Sequence, residues 1–374
     1  MKKIFVKLLG NEKHQWISIP LFSILLSLVV GAVVIATLGK EPFAALGNLL
    51  QGSGILPKPR YAGGKSMLTD FFDFMNYWTP MIFAALAVAV ALKAGLFNIG
   101  ISGQMLAAGF VSSVVVGYST LAAPIAKPLV LLISIVVGAL VGALIGWLKY
   151  QFNINEVVSS IMLNYIIQYV AAFLINTYYV DPVSRQSANV SDASRLTLMN
   201  VEIGGFKYNI PLGIILAVIM AFVIRFVFNK TTFGYELKAV GSNRKAAQYA
   251  GINVGKNMIM AMLISGALAG LAGATYYLGY FCSMQPKVLA ATGYDSIAVA
   301  LLGNSNPIGI IFSSFLISVI GKGSTYMSSS AGLDAEIASV ITSLILLFSA
   351  CGAFIQYKVK KAKEKIETEA DKAC

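Results

Sequence analysis

Residues 231–256 read TTFGYELKAVGSNRKAAQYAGINVGK, a polar and basic stretch between two long apolar runs. Its middle predicts a short helix, because Asn243 can cap the free backbone amides and Gly251 suits the left-handed conformation that ends a helix. Ala246, Ala247 and Ala250 form a narrow apolar ridge on the predicted helix, with Tyr249 beside it and Arg244 at the start of the helix. Such a ridge fits a groove on another protein. An ordinary helix resting on lipid headgroups is the alternative.

The composition around this stretch is that of a membrane protein. Of the 374 residues, 57% are hydrophobic and 12% are charged, whereas about a quarter of the residues in a soluble domain are charged. The net charge of +12 comes from basic residues spread through loops and tail without interleaved aromatic residues, so a nucleic acid is not indicated as a partner. The three cysteines and the single His14 have no metal-ligand spacing, which indicates neither a disulfide framework nor a metal site.

Ten apolar stretches predict an all-α, polytopic transmembrane bundle in which some helices are short or broken. An even number of spans places both termini on one side of the membrane. The predicted spans are Ile17–Leu38, Tyr77–Leu92, Ile101–Tyr118, Pro128–Leu148, Val157–Tyr178, Pro211–Phe228, Met258–Phe281, Ala291–Leu302, Pro307–Tyr326 and Glu336–Gln356.

The basic residues predict the orientation of this bundle. They concentrate before the first span, in the central loop and in the tail, and cytoplasmic segments carry such an excess. The chain therefore divides into a cytoplasmic N-terminus (1–16), a membrane domain (17–356) that includes a cytoplasmic loop (229–257), and a cytoplasmic basic tail (357–374).

Polar residues inside the apolar runs are the candidates for contact with a substrate. The segment KAGLFNIGISGQ (93–104) has glycines that can break a helix at membrane depth, so Asn98, Ser102 and Gln104 either line a pathway or cap helix ends in a tight turn. No serine triad, carboxylate pair or metal cluster is evident, and no stretch carries a nucleotide-binding signature.

Two further polar patterns have the same two interpretations. Ser160, Asn164 and Gln168 recur at four-residue spacing and predict a stripe that faces the bundle interior. They either join helices or touch substrate. Asp295 opens a short apolar stretch that resembles one limb of a helical hairpin, and it is predicted to cap that helix.

Five motifs in order resemble the permease subunits of ATP-binding-cassette (ABC) importers of the ribose and nucleoside branch. They are GLFNIGISGQ (95–104), NEVVSSIMLNYI (155–166), GYELKAVGSNRKAAQYAGINVGK (234–256), SGALAGLAGA (265–274) and GYDSIAVALLGNSNPIGI (293–310). The resemblance implies a ten-helix, type II-like permease of the bacterial cytoplasmic membrane whose coupling helix, Asn243–Gly251, docks on an ABC ATPase. Many relatives have an acidic residue where this chain has Ser102, so a role of that carboxylate does not transfer.

The resemblance also implies partners and a function. The expected partners are the ATPase, which would bind ATP and Mg²⁺, a second permease, a substrate-binding lipoprotein and membrane lipids, and the chain itself would bind no cofactor. The function implied is import of nucleosides by alternating access. Ribose, another simple sugar or riboflavin are alternative substrates, and an ion-driven secondary transporter is an alternative of another class.

Overall fold

The computed structural model describes residues 15–61, 63–334, 336–350 and 357–361. Most of these residues are helical, as predicted. The helices are α1 Gln15–Thr37, α2 Pro42–Gly52, α3 Met67–Lys93, α4 Ile101–Ser112, α5 Ala123–Phe152, α6 Glu156–Leu174, α7 Leu212–Lys230, α8 Thr232–Ser242, α9 Arg244–Tyr249, α10 Val254–Thr275, α11 Ala291–Leu302, α12 Pro307–Ala331 and α13 Glu336–Ala350. Most of the predicted N-terminus and tail, His14, and the end of the tenth span lie outside the described residues.

Each of the ten predicted spans coincides with a helix in the described chain, but the helices differ in their ability to cross a membrane. Among the described residues, six are long and apolar enough: α3, α5, α6, α7, α10 and α12, where α6 and α10 are each counted with the π-helical turn that follows it. The pair α1 and α2, bent by 117°, could add one more span, and α4 and α11 are shorter apolar helices. A count of ten crossings therefore stays a prediction.

The bundle is built around α3, which begins ten residues before the predicted span. Ser66 starts this helix, because its hydroxyl accepts a hydrogen bond from the Thr69 amide at 3.4 Å while the Thr69 hydroxyl accepts one from the Ser66 amide at 3.2 Å. The segment from Met81 to Ala91 is buried on all sides. A helix that is apolar all round belongs in the interior of a bundle.

Glycines hold α5 against α10, as the four-residue spacing indicates. A Cβ added to Gly138 would collide with the carbonyl of Gly266, and one added to Gly142 would collide with the carbonyl of Met262. Gly270 likewise lies against the Ser134 carbonyl. Close backbone packing is a main source of helix association in lipid, where there is no hydrophobic drive between helices.

A β-hairpin lies in the segment between the predicted spans Val157–Tyr178 and Pro211–Phe228, for which the sequence analysis predicted no regular structure. Strand β1, Thr197–Ile203, pairs antiparallel with β2, Phe206–Pro211. The turn between them is Gly204-Gly205, with φ of +61° and +82°, which is the backbone that a tight two-residue hairpin requires. We call the end of the bundle that carries this hairpin the hairpin end, and the opposite end, which carries α8 and α9, the loop end.

Three helices finish in a π-helical turn, a feature that is frequent at functional sites. The turns are Ser113–Gly117 after α4, Ile175–Tyr179 after α6 and Tyr276–Phe281 after α10.

Candidate functional site

The segment 94–100, between α3 and α4, folds back into the bundle as the glycine pattern predicts. The Asn98 amide donates to the Ser265 hydroxyl at 2.9 Å, and that hydroxyl donates to the carbonyl of Ala87 at 2.7 Å. Ala87 lies six residues before the end of α3, roughly 9 Å inside the helix. Asn98 also accepts a hydrogen bond from the Gly100 amide at 2.9 Å and donates one to Gln104 at 3.1 Å.

The first turn of α4 is fastened to two other helices. The Ser102 hydroxyl donates to the carbonyl of Ala290 at 2.9 Å, immediately before α11. Asn164 of α6 accepts from the Gly103 amide at 3.0 Å and donates to the carbonyl of Ile99 at 3.1 Å. The beginnings of α4 and α11 therefore meet beside α6, and we call this meeting point the junction.

The junction side chains are buried within the chain itself. Asn98, Ser102, Gln104, Ser160 and Asn164 are each exposed by 2% or less, and four of them have hydrogen-bond partners. The hydroxyl of Ser160 has no partner in the described part of the chain. This geometry favours the interpretation of these residues as joints between helices over direct contact with a water-filled pathway.

Two of the predicted residues lie at the edge of the junction. Gln168 is half-buried and donates to the carbonyl of Lys287 at 2.6 Å. Asp295 is also half-buried, but the prediction that it caps its helix is wrong. The helix α11 begins at Ala291 after Ala290, without a side-chain cap, so Asp295 lies in its second turn.

The short helix of the central loop, α9, forms as predicted. The Asn243 side chain accepts hydrogen bonds from the amides of Lys245 and Ala246 at 3.0 and 3.1 Å, and Gly251 has a φ of +80°. Tyr249 is 94% exposed. A second helix, α8, fills the part of the loop that the sequence predicted only as polar.

The predicted ridge on α9 is narrower than expected. Ala246 and Ala250 are exposed, but Ala247 is buried at 3% exposure in the continuous core of the bundle. The exposed part of the ridge is therefore Ala246 and Ala250 with Tyr249 beside them, Lys245 and Gln248 are exposed as well, and Ala247 attaches the helix to the bundle from the other side.

The loop is anchored on the end of α3. A Cβ on Gly241 of α8 would collide with the carbonyl of Lys93, and one on Gly95 would lie 3.0 Å from the carbonyl of Gly241. The Arg244 guanidinium donates to the carbonyl of Gly95 at 3.0 Å. The loop and the core helix are thus in direct backbone contact.

Glu156, at the start of α6, has a structural partner. Its carboxylate lies 3.0 Å from the ammonium of Lys149, and both side chains are 14% exposed. The pair closes the turn between α5 and α6 at the loop end.

Sequence reasoning missed a polar cavity of about 300 Å³ at the hairpin end. The hairpin docks on α3 there, because Thr197 donates to Asn76 at 2.6 Å and Asn209 donates to Asp73 at 2.9 Å. The cavity brings together carboxylate, amide, cationic and aromatic side chains: Asp73, Asn76, Arg195, Thr197, Met199, Asn209, Tyr280, Phe281 and Lys322. The alternating pattern and the Gly-Gly turn of residues 197–211 were the available signal.

A protein family described as "Branched-chain amino acid transport system / permease component" matches residues 71–350, which include the junction and the central loop. The chain belongs to this permease family. It is accordingly a transport subunit rather than an enzyme, held in the membrane by several helices.

Curated relatives extend the match over almost the whole permease. NupB of Lactococcus lactis subsp. cremoris, a nucleoside ABC transporter permease protein, is 33% identical over 97% of this chain and 98% of its own length. NupP of Bacillus subtilis, a guanosine ABC transporter permease protein, is 35% identical over 93% of this chain and 97% of its own length. NupC, a second nucleoside permease protein of the same Lactococcus strain, is 31% identical over 65% of this chain and 78% of its own length.

Proposed function

We propose that this chain is one permease subunit of an ATP-driven importer that passes nucleosides across the bacterial cytoplasmic membrane by alternating access. The observation that carries the proposal is the nearly full-length similarity to two permeases named for nucleoside and guanosine transport. The five sequence motifs resemble the ribose and nucleoside branch, which includes this substrate class.

The proposed complex contains more than one kind of subunit. Two different permeases of one Lactococcus strain are both similar to this chain, which supports a pair of unlike permeases. A lipoprotein receptor would deliver the nucleoside, and an ABC ATPase would bind ATP and Mg²⁺. The proposed orientation, with both termini and the loop 229–257 in the cytoplasm, rests on the distribution of basic residues. The proposed ten spans rest on the apolar stretches, and their type II-like arrangement rests on the family resemblance.

Helix α9 is the proposed coupling helix. Its exposed side chains Ala246, Tyr249 and Ala250, with Arg244 at its start, form a small surface that fits a groove on the ATPase. Asn243 and Gly251 would fix the two ends of the helix, and Ala247 would hold it against the bundle. Because the loop is in backbone contact with the end of α3, movement of a docked ATPase would reach the core helix directly.

The buried junction residues would act on transport through the helices that they hold. Asn98, Ser102, Gln104 and Asn164 would keep the beginnings of α4 and α11 beside α6, where Ser160 is also buried. Gln168 and Asp295, which are half-buried, would lie nearer the passage between the two permeases.

The substrate is tested by purifying the complete complex in lipid vesicles and measuring ATP hydrolysis and uptake of labelled guanosine. Guanosine-loaded receptor should stimulate hydrolysis several-fold over empty receptor, with matching uptake. Stimulation by a sugar-loaded receptor alone would contradict the nucleoside assignment, and uptake by this chain alone under an ion gradient would contradict the importer mechanism.

The coupling role is tested by Tyr249→Asp, which places a charge on the exposed face of α9. We expect loss of stimulated ATP hydrolysis and of ATPase binding, while the variant elutes as a folded protein. Tyr178→Asp is the matched control, because Tyr178 is 70% exposed but lies at the hairpin end. Equal losses in the two variants would contradict the coupling role.

A further inference from the structure

The exposed faces of α5 and α7 define what a lipid-facing surface looks like in this protein. In the middle of α5 the exposed large side chains are all aliphatic: Leu132, Ile135, Val136, Leu140 and Leu144. Between Gly213 and Val223 of α7 they are aliphatic or phenylalanine: Ile215, Ile219, Phe222 and Val223. Neither set carries a polar group, which is the composition that hydrocarbon requires.

The exposed face of α6 differs, because it carries two hydroxyl-bearing rings at mid-span. Tyr165 is 53% exposed and Tyr169 is 60% exposed. Both lie near the middle of the 24-residue helix Glu156–Tyr179. Tyrosines of membrane proteins ordinarily place the hydroxyl at the interface or on a hydrogen-bond partner, so a pair of exposed rings at this depth indicates contact with water or protein.

The segment 282–290, before α11, lies beside these tyrosines. The Gln168 amide donates to the carbonyl of Lys287 at 2.6 Å, and Gln168 is halfway along the helix Glu156–Tyr179. Non-helical backbone of this segment therefore reaches mid-span depth at Lys287, and the side chains of Gln285 and Lys287 are exposed.

Such a segment is stable in only two environments. Irregular backbone at membrane depth is tolerated where it is buried in protein or lines a water-filled cavity, and an exposed lysine at that depth is costly in hydrocarbon. Because Lys287 is exposed on this chain, water is the environment that its ammonium requires. Tyr294, 42% exposed and 3.5 Å from the Asn164 amide, closes the same patch from α11.

We infer that the patch formed by Tyr165, Tyr169, Lys287 and Tyr294 is the wall of the passage that contacts the substrate, and that it binds the base of a nucleoside. The inference rests on the proposed function and adds the contact residues to it. Tyrosine rings stack on a planar heteroaromatic base, and the ammonium of Lys287 donates to carbonyl or ring-nitrogen acceptors of that base.

The first test measures whether the patch faces water. In a complete complex in which the three cysteines of this chain are replaced by alanine, Tyr169→Cys and Lys287→Cys should react with a charged, membrane-impermeant thiol reagent. Leu140→Cys and Phe222→Cys, on the two apolar faces, should not. With ATP present, guanosine-loaded receptor should slow the reaction at 169 and 287 roughly fivefold relative to empty receptor. Reaction no faster than at the control positions would overturn the passage wall, and a rate indifferent to guanosine would overturn the base contact.

The second test separates the ring from the hydroxyl. Tyr169→Ala should raise the KM for guanosine uptake roughly tenfold, whereas Tyr169→Phe, which keeps the ring, should stay near the parent. Tyr178→Ala, exposed at the hairpin end, should have no effect. Equal KM values for the alanine and phenylalanine variants would overturn the stacking.

These outcomes separate the inference from the proposed function. If the unsubstituted complex transports no guanosine, the proposed function is contradicted. The thiol reactions would still report whether the patch faces water. If the unsubstituted complex transports guanosine and the Tyr169→Ala variant has the same KM for guanosine uptake, only the inference about the patch is contradicted.

Discussion

Among the described residues, the segments 94–100 and 282–290 are both irregular and enter the bundle, but they differ in the exposure of their polar side chains. Segment 94–100 is enclosed: Asn98 is 1% exposed and its amide is bonded to Ser265 of a different helix. Segment 282–290 also has backbone groups bonded inside the chain, among them the carbonyls of Lys287 and Ala290, but the side chain of Lys287 is exposed. Both segments interrupt helices, and they differ in whether their polar side chains are enclosed. The comparison teaches that a broken helix by itself does not mark a passage, and that the environment of its side chains does.

The largest effect is expected from added side-chain volume at the junction, in the first turn of α4 directly after the enclosed segment. In Gly103→Leu, the new side chain would collide with the Asn164 side chain and with its Cα at 2.9 Å. We expect a destabilisation of about 3 kcal/mol or more, because overpacking against backbone cannot relax. The midpoint temperature of the detergent-solubilised protein measures it. Gly47→Leu is the matched control, since no atom lies within 4 Å of its added Cβ. A similar fall of the midpoint temperature in this control would show that collision at the junction is not the cause.

The next effect is expected from Asn98→Ala. The substitution leaves the Gly100 amide and the Gln104 side chain without their partners in a buried site. Unpaired buried polar groups cost about 1–3 kcal/mol each, so the midpoint temperature should fall clearly. Asn189→Ala, at an exposed asparagine, should leave it unchanged. A stable Asn98→Ala variant would mean that water already reaches the segment.

A smaller effect is expected from Gln168→Ala, which releases segment 282–290 from α6. The hydrogen bond to the Lys287 carbonyl is half-exposed, and such a bond contributes about 0.5–1.5 kcal/mol. Hydrogen exchange of residues 282–290 should quicken while exchange in α3 stays slow. Unchanged exchange in that segment would show that other contacts hold it.

The smallest effect on stability is expected from Lys287→Gln. The side chain is exposed, and substitutions at exposed positions usually change stability by less than about 0.5 kcal/mol. The midpoint temperature of Lys287→Gln, measured in the same way as that of Asn98→Ala, completes the comparison between the two segments. A large loss of stability would show that Lys287 has an internal partner and that its segment is enclosed like the first.

Features that depend on neighbours in sequence were predictable. The cap at Asn243 and the left-handed Gly251 act within one turn of α9, and the glycine spacing of α5 identifies the face that α10 approaches. These signals are local, so they are visible without coordinates.

Features that depend on distant partners were not predictable. Asn98 and Ser265 are 167 residues apart, and the depth of Lys287 follows from a contact with another helix. Ala247 was misplaced because a six-residue helix with alanines on several sides does not reveal which side is covered. Asp295 was misplaced because Ala290 and Ala291 start that helix without a capping side chain.

The contact between Gly241 and the end of α3 has a mechanical meaning. No side chain separates the two backbones, so there is no soft layer whose rotamers could absorb a shift of an ångström. If the proposed ATPase docks on the central loop, its movement would reach the terminus of α3 directly. A side chain added at Gly241 would change that contact without altering the proposed ATP or substrate sites.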